Sequence, residues 1–180
     1  MATPRLPIGA PAPEFSLPGV DGKTYALASF SDRPVVAVIF TCNHCPYVQA
    51  YEDRLIAIQA DYQMRGVALV AINANDRTLY PDDDVAHMVQ RAAQKRYNFP
   101  YLRDETQRVA EAYGALYTPE IFLLDRDRRL RYTGAIDDNW RDPAQVKVAH
   151  LRQAIDALLA GGSIAAPETH AIGCTIKWAQ

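Results

Sequence analysis

Residues 34–47 read PVVAVIFTCNHCPY, an apolar run that ends on two cysteines held two residues apart. Val35, Val36, Val38 and Ile39 are β-branched, and a continuous run without alternation predicts a strand buried on both faces. Pro46, just past the second cysteine, suits the first turn of a helix, where an N–H has no partner to lose. Val48, Tyr51, Leu55, Ile58 and Tyr62 then recur at helical spacing. The stretch is therefore a strand–CxxC–helix junction at the carboxyl end of a buried strand, the edge where open α/β sheets collect reactive groups.

Outward from that junction the same alternation of buried strands and helices continues. Upstream, Ile8–Leu27 alternates around Asp21-Gly22, with Phe15 and Leu17 opposite Tyr25 and Leu27, which predicts a β-hairpin. Downstream, Val67–Ile72 is a second buried strand. A helix follows over Asp84–Tyr97, acidic at its start (Asp82, Asp83, Asp84) and basic at its end (Lys95, Arg96), as the macrodipole favours. Asp104 and Gln107 have capping-box spacing for a short helix ending near Tyr113. Glu120–Leu124 and Leu130–Thr133 form a second hairpin about Asp125–Arg129. Asp142, Pro143 and Gln145 open a last helix with Val148, Leu151, Ile155, Leu158 and Leu159 on its apolar face, ended by Gly161-Gly162. The order predicts a single α/β domain over residues 1–180, a central mixed sheet with helices on both faces, and an extended tail over 163–180.

Bulk properties exclude several function classes. A net charge of −2 leaves no electrostatic footprint for nucleic acid or an anionic membrane. The longest apolar run is far short of the roughly 18 residues of a membrane span. The start, MATPRLPIGAPAPEF, carries proline and glutamate where a secretory signal needs a continuous apolar segment, so a cytoplasmic location is expected. Cys42, Cys45 and Cys174 are too few, and odd in number, for a structural disulfide framework.

A CxxC in that setting reads as redox or metal-binding. At the start of a helix, free N–H groups and the dipole stabilise a thiolate. The spacing brings both sulfurs to one side of the first turn, so Cys45 can attack a mixed disulfide formed at Cys42, the more exposed thiol on this reading. His44 between them can supply positive charge or a hydrogen bond and so tune the potential. Thiol–disulfide exchange is the reading the residues favour.

With these motifs in view, the chain resembles thioredoxin-fold proteins of the redoxin type. The hairpin IGAPAPEFSLPGVDGKTYAL, the junction FTCNHCPY and Tyr117-Thr118-Pro119 before EIFLLD carry the likeness. More narrowly, CNHCPYV, INAND, TPEIFLLD and AIGCTIKW are similar to a bacterial thioredoxin-like subgroup sometimes labelled peroxiredoxin-like. The resemblance implies a thioredoxin fold with the N-terminal hairpin as an extension and Val67–Tyr97 as an inserted βα unit. It implies a cis bond at Thr118-Pro119 opposite the cysteines, with Thr118, Pro119 and Asn43 on the substrate side, and protein or small-molecule thiols and disulfides as partners. It needs no cofactor beyond an external reductant or oxidant.

The chain also departs from the pattern. Thr41 stands where thioredoxin has tryptophan, and Asn43-His44 is closer to disulfide isomerases and oxidases than to strongly reducing proteins. Val36 replaces a buried aspartate, leaving Glu120 as the proton acceptor by position. Peroxiredoxins place threonine or serine three residues before their reactive cysteine; here that position is Cys42, and the arginine expected before the late strand is missing between Ala115 and Pro119. Peroxide reduction is disfavoured.

Cys174 lies in AIGCTIKW, where alternation puts Ile172, Cys174, Ile176 and Trp178 on one apolar side. It is expected to pack there, or to reach the CxxC pair as an accessory thiol. The alternative to an enzyme is a metal carrier or a thiol redox sensor: zinc on Cys42, Cys45, His170 and Cys174, or copper(I) on Cys42, Cys45 and His44. Asn73, Asn75, Asp76 and Asp82–Asp84 read as a helix-capping loop on the same sheet edge, and His87 and His150 receive no role.

Overall fold

The computed structural model describes residues 3–180. A short antiparallel hairpin comes first: β1 (Ser16–Pro18) and β2 (Thr24–Ala26) pair with Leu17 opposite Tyr25. Its turn is held by Asp21, which accepts from the Lys23 N–H at 3.0 Å and the Tyr25 hydroxyl at 2.5 Å. The apolar run becomes β3 (Val35–Thr41), buried throughout, and runs into α1 (Pro46–Tyr62). Then come β4 (Val67–Asn73), α2 (Val85–Lys95), β5 (Tyr101–Arg103) and α3 (Arg108–Tyr113). The chain continues with β6 (Tyr117–Thr118), β7 (Glu120–Leu124), β8 (Leu130–Gly134), α4 (His150–Leu159) and β9 (Cys174–Thr175).

The central sheet has the order β5-β4-β3-β7-β8, parallel among β3, β4 and β5 and antiparallel at β7 and β8. Side-chain alternation along β3 divides the core. Val35, Ala37 and Ile39 pack with Tyr51 and Leu55 of α1, Met88 of α2 and Leu151 and Ile155 of α4. Val36, Val38 and Phe40 pack on the other face with Tyr113 of α3 and Phe15 and Leu17 of the hairpin. The mixed sheet with helices on both faces is the architecture expected from the sequence.

Three local differences from that expectation have physical causes. Strand β5 was not anticipated, because a three-residue strand behind Pro100 carries no period, and its Arg103 is charged yet buried. Asp104 and Gln107 do not form a capping box: Gln107 is itself the residue before α3, with a left-handed φ of 62° and no cap bond. Asp104 reaches further in, accepting from the Ala110 N–H at 2.9 Å, while the Gln107 amide is used elsewhere. Helix α4 starts at His150, because Asp142 caps a separate 3-10 turn over Pro143–Gln145. The tail over 163–180 bridges Glu168 to Thr133 and then pairs β9 with β6. Ile176 is buried there, Cys174 is half-buried, and Ile172 and Trp178 stay exposed, so the apolar stripe is only partly covered.

Candidate active site

Register places the cysteine loop. Thr41, the last residue of β3, lies beside Asn73, the last of β4, so the segments after both strands leave the same sheet edge as neighbours. Asn43 sits in the first and Asn75 in the second, and the acidic stretch before α2 closes over both. Asp83 is fully buried there. Its Oδ1 accepts from the Asn43 backbone N–H at 2.8 Å and from Asn73 Nδ2 at 3.1 Å. Its Oδ2 accepts from Asn75 Nδ2 at 2.9 Å and lies 3.2 Å from His44 Nδ1. A buried carboxylate surrounded by donors fixes the loop geometry tightly.

Asn43 spends its polar atoms inside the protein. Its side-chain amide donates to the Asp82 carbonyl at 2.8 Å, its side-chain oxygen accepts from the Tyr101 hydroxyl at 2.7 Å, and its carbonyl accepts from Gln49 at 3.2 Å. It is a positioning residue for the loop. His44 is half-exposed outside the pair and stacks on Tyr80, ring centroids 6.3 Å apart.

The thiols are arranged differently from the sequence expectation. Cys42 and Cys45 are equally buried, each 2% exposed, so Cys42 is not the more accessible one. Helix α1 begins at Pro46 with Cys45 as its cap residue, which directs the favourable end of the dipole at Cys45. Hydrogen bonding from Cys42, then from Cys174 and the Val48 and Cys174 amides, brings the Cys45 thiol down to about 5 against the cost of burial. Cys42 is pushed well up, first by that same bond to Cys45, then by burial and the Asp83 charge. Both directions favour a thiolate on Cys45 over one on Cys42. Thr118 contacts both: its hydroxyl lies 3.4 Å from Cys42 Sγ and its carbonyl oxygen 3.5 Å from Cys45 Sγ. The Thr118-Pro119 bond is cis.

A cysteine pair just past the end of a buried strand, beside a cis-proline, is the geometry against which the comparison with known families is read. Residues 8–133 match the AhpC/TSA family. The chain belongs to that family. It is 26% identical to the thiol-disulfide oxidoreductase ResA of Geobacillus thermodenitrificans over 69% of this chain and 67% of that protein. Among solved structures it is similar to a hypothetical protein of Sinorhizobium meliloti 1021, with a TM-score of 0.92 and 40% identity over 98% of this chain and 97% of the other. A thiol:disulfide interchange protein DsbE, described as putative, from Chlorobium tepidum superposes at a TM-score of 0.68 with 27% identity, covering 86% and 99% of the two chains. The fold is thioredoxin-like, and the family-level chemistry is thiol redox chemistry.

In this AhpC/TSA chain Glu120, on β7, is fully buried and engaged by Arg5, while its other oxygen accepts from the Leu116 N–H at 2.7 Å and the Tyr117 N–H at 3.1 Å. It ties the N-terminal segment to the loop before Pro119. The backbone edge at Thr118, expected to face substrate, is covered by β9, with Cys174 opposite Thr118. Cys174 Sγ lies 2.7 Å from Cys45 Sγ. His170 is exposed and packs edge-on to Tyr117. Among the described residues no group of three or more His, Cys, Asp or Glu is arranged to hold a metal ion, and no helix is long and apolar enough to cross a membrane. Asp83 is the site residue that sequence reasoning missed. The signal available was the recurrence of asparagine after both neighbouring strands, Asn43 and then Asn73 and Asn75, which demands a shared acceptor.

Proposed function

We propose that the protein is a thiol–disulfide oxidoreductase working through Cys42-Asn43-His44-Cys45. The dithiol gives two electrons and two protons to an incoming disulfide, which leaves as two thiols, or the reverse. The observation that carries this reading is the buried Cys42–Cys45 pair at the end of β3, with Cys45 at the cap of α1 and both sulfurs against Thr118; hydrogen bonding lowers the Cys45 thiol to about 5. A thiolate present at neutral pH is the attacking species in such exchange. Cys45 takes the thiolate role and Cys42 is its disulfide partner, with Thr118 and Pro119 forming the wall beside them. His44, half-exposed and held by Asp83, tunes the potential. The partners are protein or small-molecule thiols and disulfides in the cytoplasm, recharged by an external reductant or oxidant. Peroxide reduction is left out, because Cys42 occupies the position where a peroxiredoxin carries a hydroxyl side chain.

The test is a redox titration with alkylation and mass mapping of the wild type and a Cys174→Ser variant. A reversible Cys42–Cys45 disulfide in both, at about −270 to −120 mV, supports the reading. If neither protein forms that pair, the proposal fails. Copper or zinc retained stoichiometrically through purification under reductant would favour a metal carrier instead.

A further inference from the structure

A two-cysteine exchange has no use for Cys174, yet the fold holds that residue against the pair with unusual care. Strand β9 pairs antiparallel with β6 so that Cys174 lies opposite Thr118. A Cβ on Gly173 would stand 2.2 Å from the Thr118 carbonyl oxygen and 2.7 Å from its carbon, so a residue without a side chain is needed for the tail to come this close. Beyond Cys174 the tail is clamped on both sides. The Ile176 N–H donates to the Leu116 carbonyl at 2.9 Å and the Lys177 N–H to Asn75 Oδ1 at 2.9 Å. Gln107 closes the clamp, donating to the Lys177 carbonyl at 2.8 Å and accepting from the Ala179 N–H at 2.9 Å. Gln107 and Asn75 both belong to the loops at the active-site edge.

The three sulfurs also differ in depth. Cys42 and Cys45 are buried, whereas Cys174 is half-buried and reaches solvent. Cys45 packs with Cys42 in one buried cluster, and its sulfur lies 2.7 Å from that of Cys174. Packing of the tail would be served by any small residue. A thiol placed against a second thiol, on the side facing solvent, serves exchange.

We propose that Cys174 is a third redox thiol that passes the disulfide between the buried Cys42–Cys45 pair and a thiol substrate at the surface. This rests on the exchange reading above and adds the route. From the Cys42–Cys45 disulfide, the Cys174 thiolate attacks Cys45 Sγ. The Cys45–Cys174 bond forms, the Cys42–Cys45 bond breaks, and Cys42 leaves as a thiolate that takes up the proton Cys174 gave up. No electrons enter or leave in this step. A substrate thiolate then attacks Cys174 Sγ, forming a mixed disulfide and releasing Cys45 as thiolate. A second substrate thiolate attacks the substrate sulfur of that mixed disulfide and releases Cys174. Two substrate thiols have become one disulfide, and their two electrons and two protons reside on Cys42 and Cys45. The reverse sequence reduces a substrate disulfide and recharges the pair.

Glutathione is the probe. Oxidised wild type, Cys174→Ser and Cys174→Ala are mixed with it, quenched by alkylation at intervals, and mapped by mass. The relay predicts that the Cys42–Cys45 disulfide is lost about tenfold or more slowly in both variants, since a positioned internal thiol outcompetes a diffusing one. It predicts that trapped glutathione sits on Cys174 in the wild type, and that Cys42→Ser forms a reversible Cys45–Cys174 disulfide. A purely structural role for Cys174 would move neither of those last two readouts. Glutathione on Cys42 or Cys45, with the Cys174 variants reacting as fast as wild type, overturns the relay and leaves the CxxC exchange standing. Absence of a Cys42–Cys45 pair in wild type and Cys174 variants alike overturns both.

Discussion

Replacing Asp83 by asparagine tests whether the cysteine loop is held by one buried carboxylate. The change preserves shape but removes a charge and turns one acceptor oxygen into a donor. With the asparagine oxygen left facing the Asn43 N–H and Asn73, its NH2 confronts Asn75 Nδ2, which now donates to Asp83 at 2.9 Å. Asn75 cannot turn its amide over without dropping the Lys177 N–H that its oxygen accepts at 2.9 Å. One buried donor is thus orphaned, at about 1–3 kcal/mol, and the remaining bonds fall from charge-assisted to neutral strength, at about 1 kcal/mol each. The expected loss is about 3–5 kcal/mol, read as a fall of about 6–20 °C in melting temperature for a chain of this size. Urea and thermal unfolding of the reduced protein measure it, with Asp82→Asn, an exposed neighbour, expected to change stability by less than about 0.5 kcal/mol. Removing the Asp83 charge also takes away one of the causes that raise the Cys42 thiol, after its bond to Cys45 and its burial. An Asp83→Asn protein within about 1 kcal/mol of wild type, or no more affected than Asp82→Asn, refutes the reasoning.

Four further outcomes are expected. In reduced wild type the alkylation rate of Cys45 should reach half its maximum near pH 5, against about 8.5 for a free thiol. The lowered pKa keeps the thiolate present above that point and lost below it, and Cys174→Ser should move the midpoint upward. Gly173→Ala must push the tail back by about 1 Å to restore ordinary contact with Thr118, so Cys174 should alkylate faster and Cys45–Cys174 crosslinking should fall; equal rates would contradict the close approach. Glu120→Gln should cost about 2–4 kcal/mol from the amide bonds to Leu116 and Tyr117, with the Arg5 pair discounted because that side chain is 35% exposed. Exchange per folded molecule should stay within about twofold, and a much larger fall would make Glu120 the proton acceptor. Asp104 is raised by burial and leaves Oδ1 unpartnered, so wild type loses stability as pH climbs from the unfolded value through the raised native one; Asp104→Asn should gain on wild type as pH rises above the unfolded carboxyl value of about 3.9 in urea titrations, and a constant gap would exclude this.

The central sheet was legible in the sequence because its signal is chemical redundancy. Every residue of β3 is buried, and alternate residues serve two separate clusters, so one apolar run encodes both layers. Strand β5 was hidden because Arg103 is buried through bonds to the Asn75 and Asp83 carbonyls, at 2.8 and 3.2 Å, rather than through an apolar side chain. The same reason hid Asp83. Three consecutive aspartates read as one helix cap, and only Asp84 caps α2, accepting from the His87 N–H at 2.9 Å. Which of the three turns inward depends on asparagines at the ends of two other strands, and that is a tertiary fact.

The identity of the thiolate was illegible for a related reason. Spacing alone makes both cysteines equivalent at a helix start, and helical position first favoured Cys42. The helix begins one residue after Cys45, however, and the Asn43 N–H next to Cys42 is bonded to Asp83. A negative charge buried beside Cys42 and a helix start beside Cys45 act in the same direction. Cys174 adds to the same bias by hydrogen-bonding Cys45 from the other side. Loop, helix and tail thus converge on one sulfur, with Cys45 and Cys174 129 residues apart in the chain. Cys45 shares its buried cluster with Cys42 and lies 2.7 Å from Cys174, so the relay proposed above needs no large rearrangement to bring either partner to it.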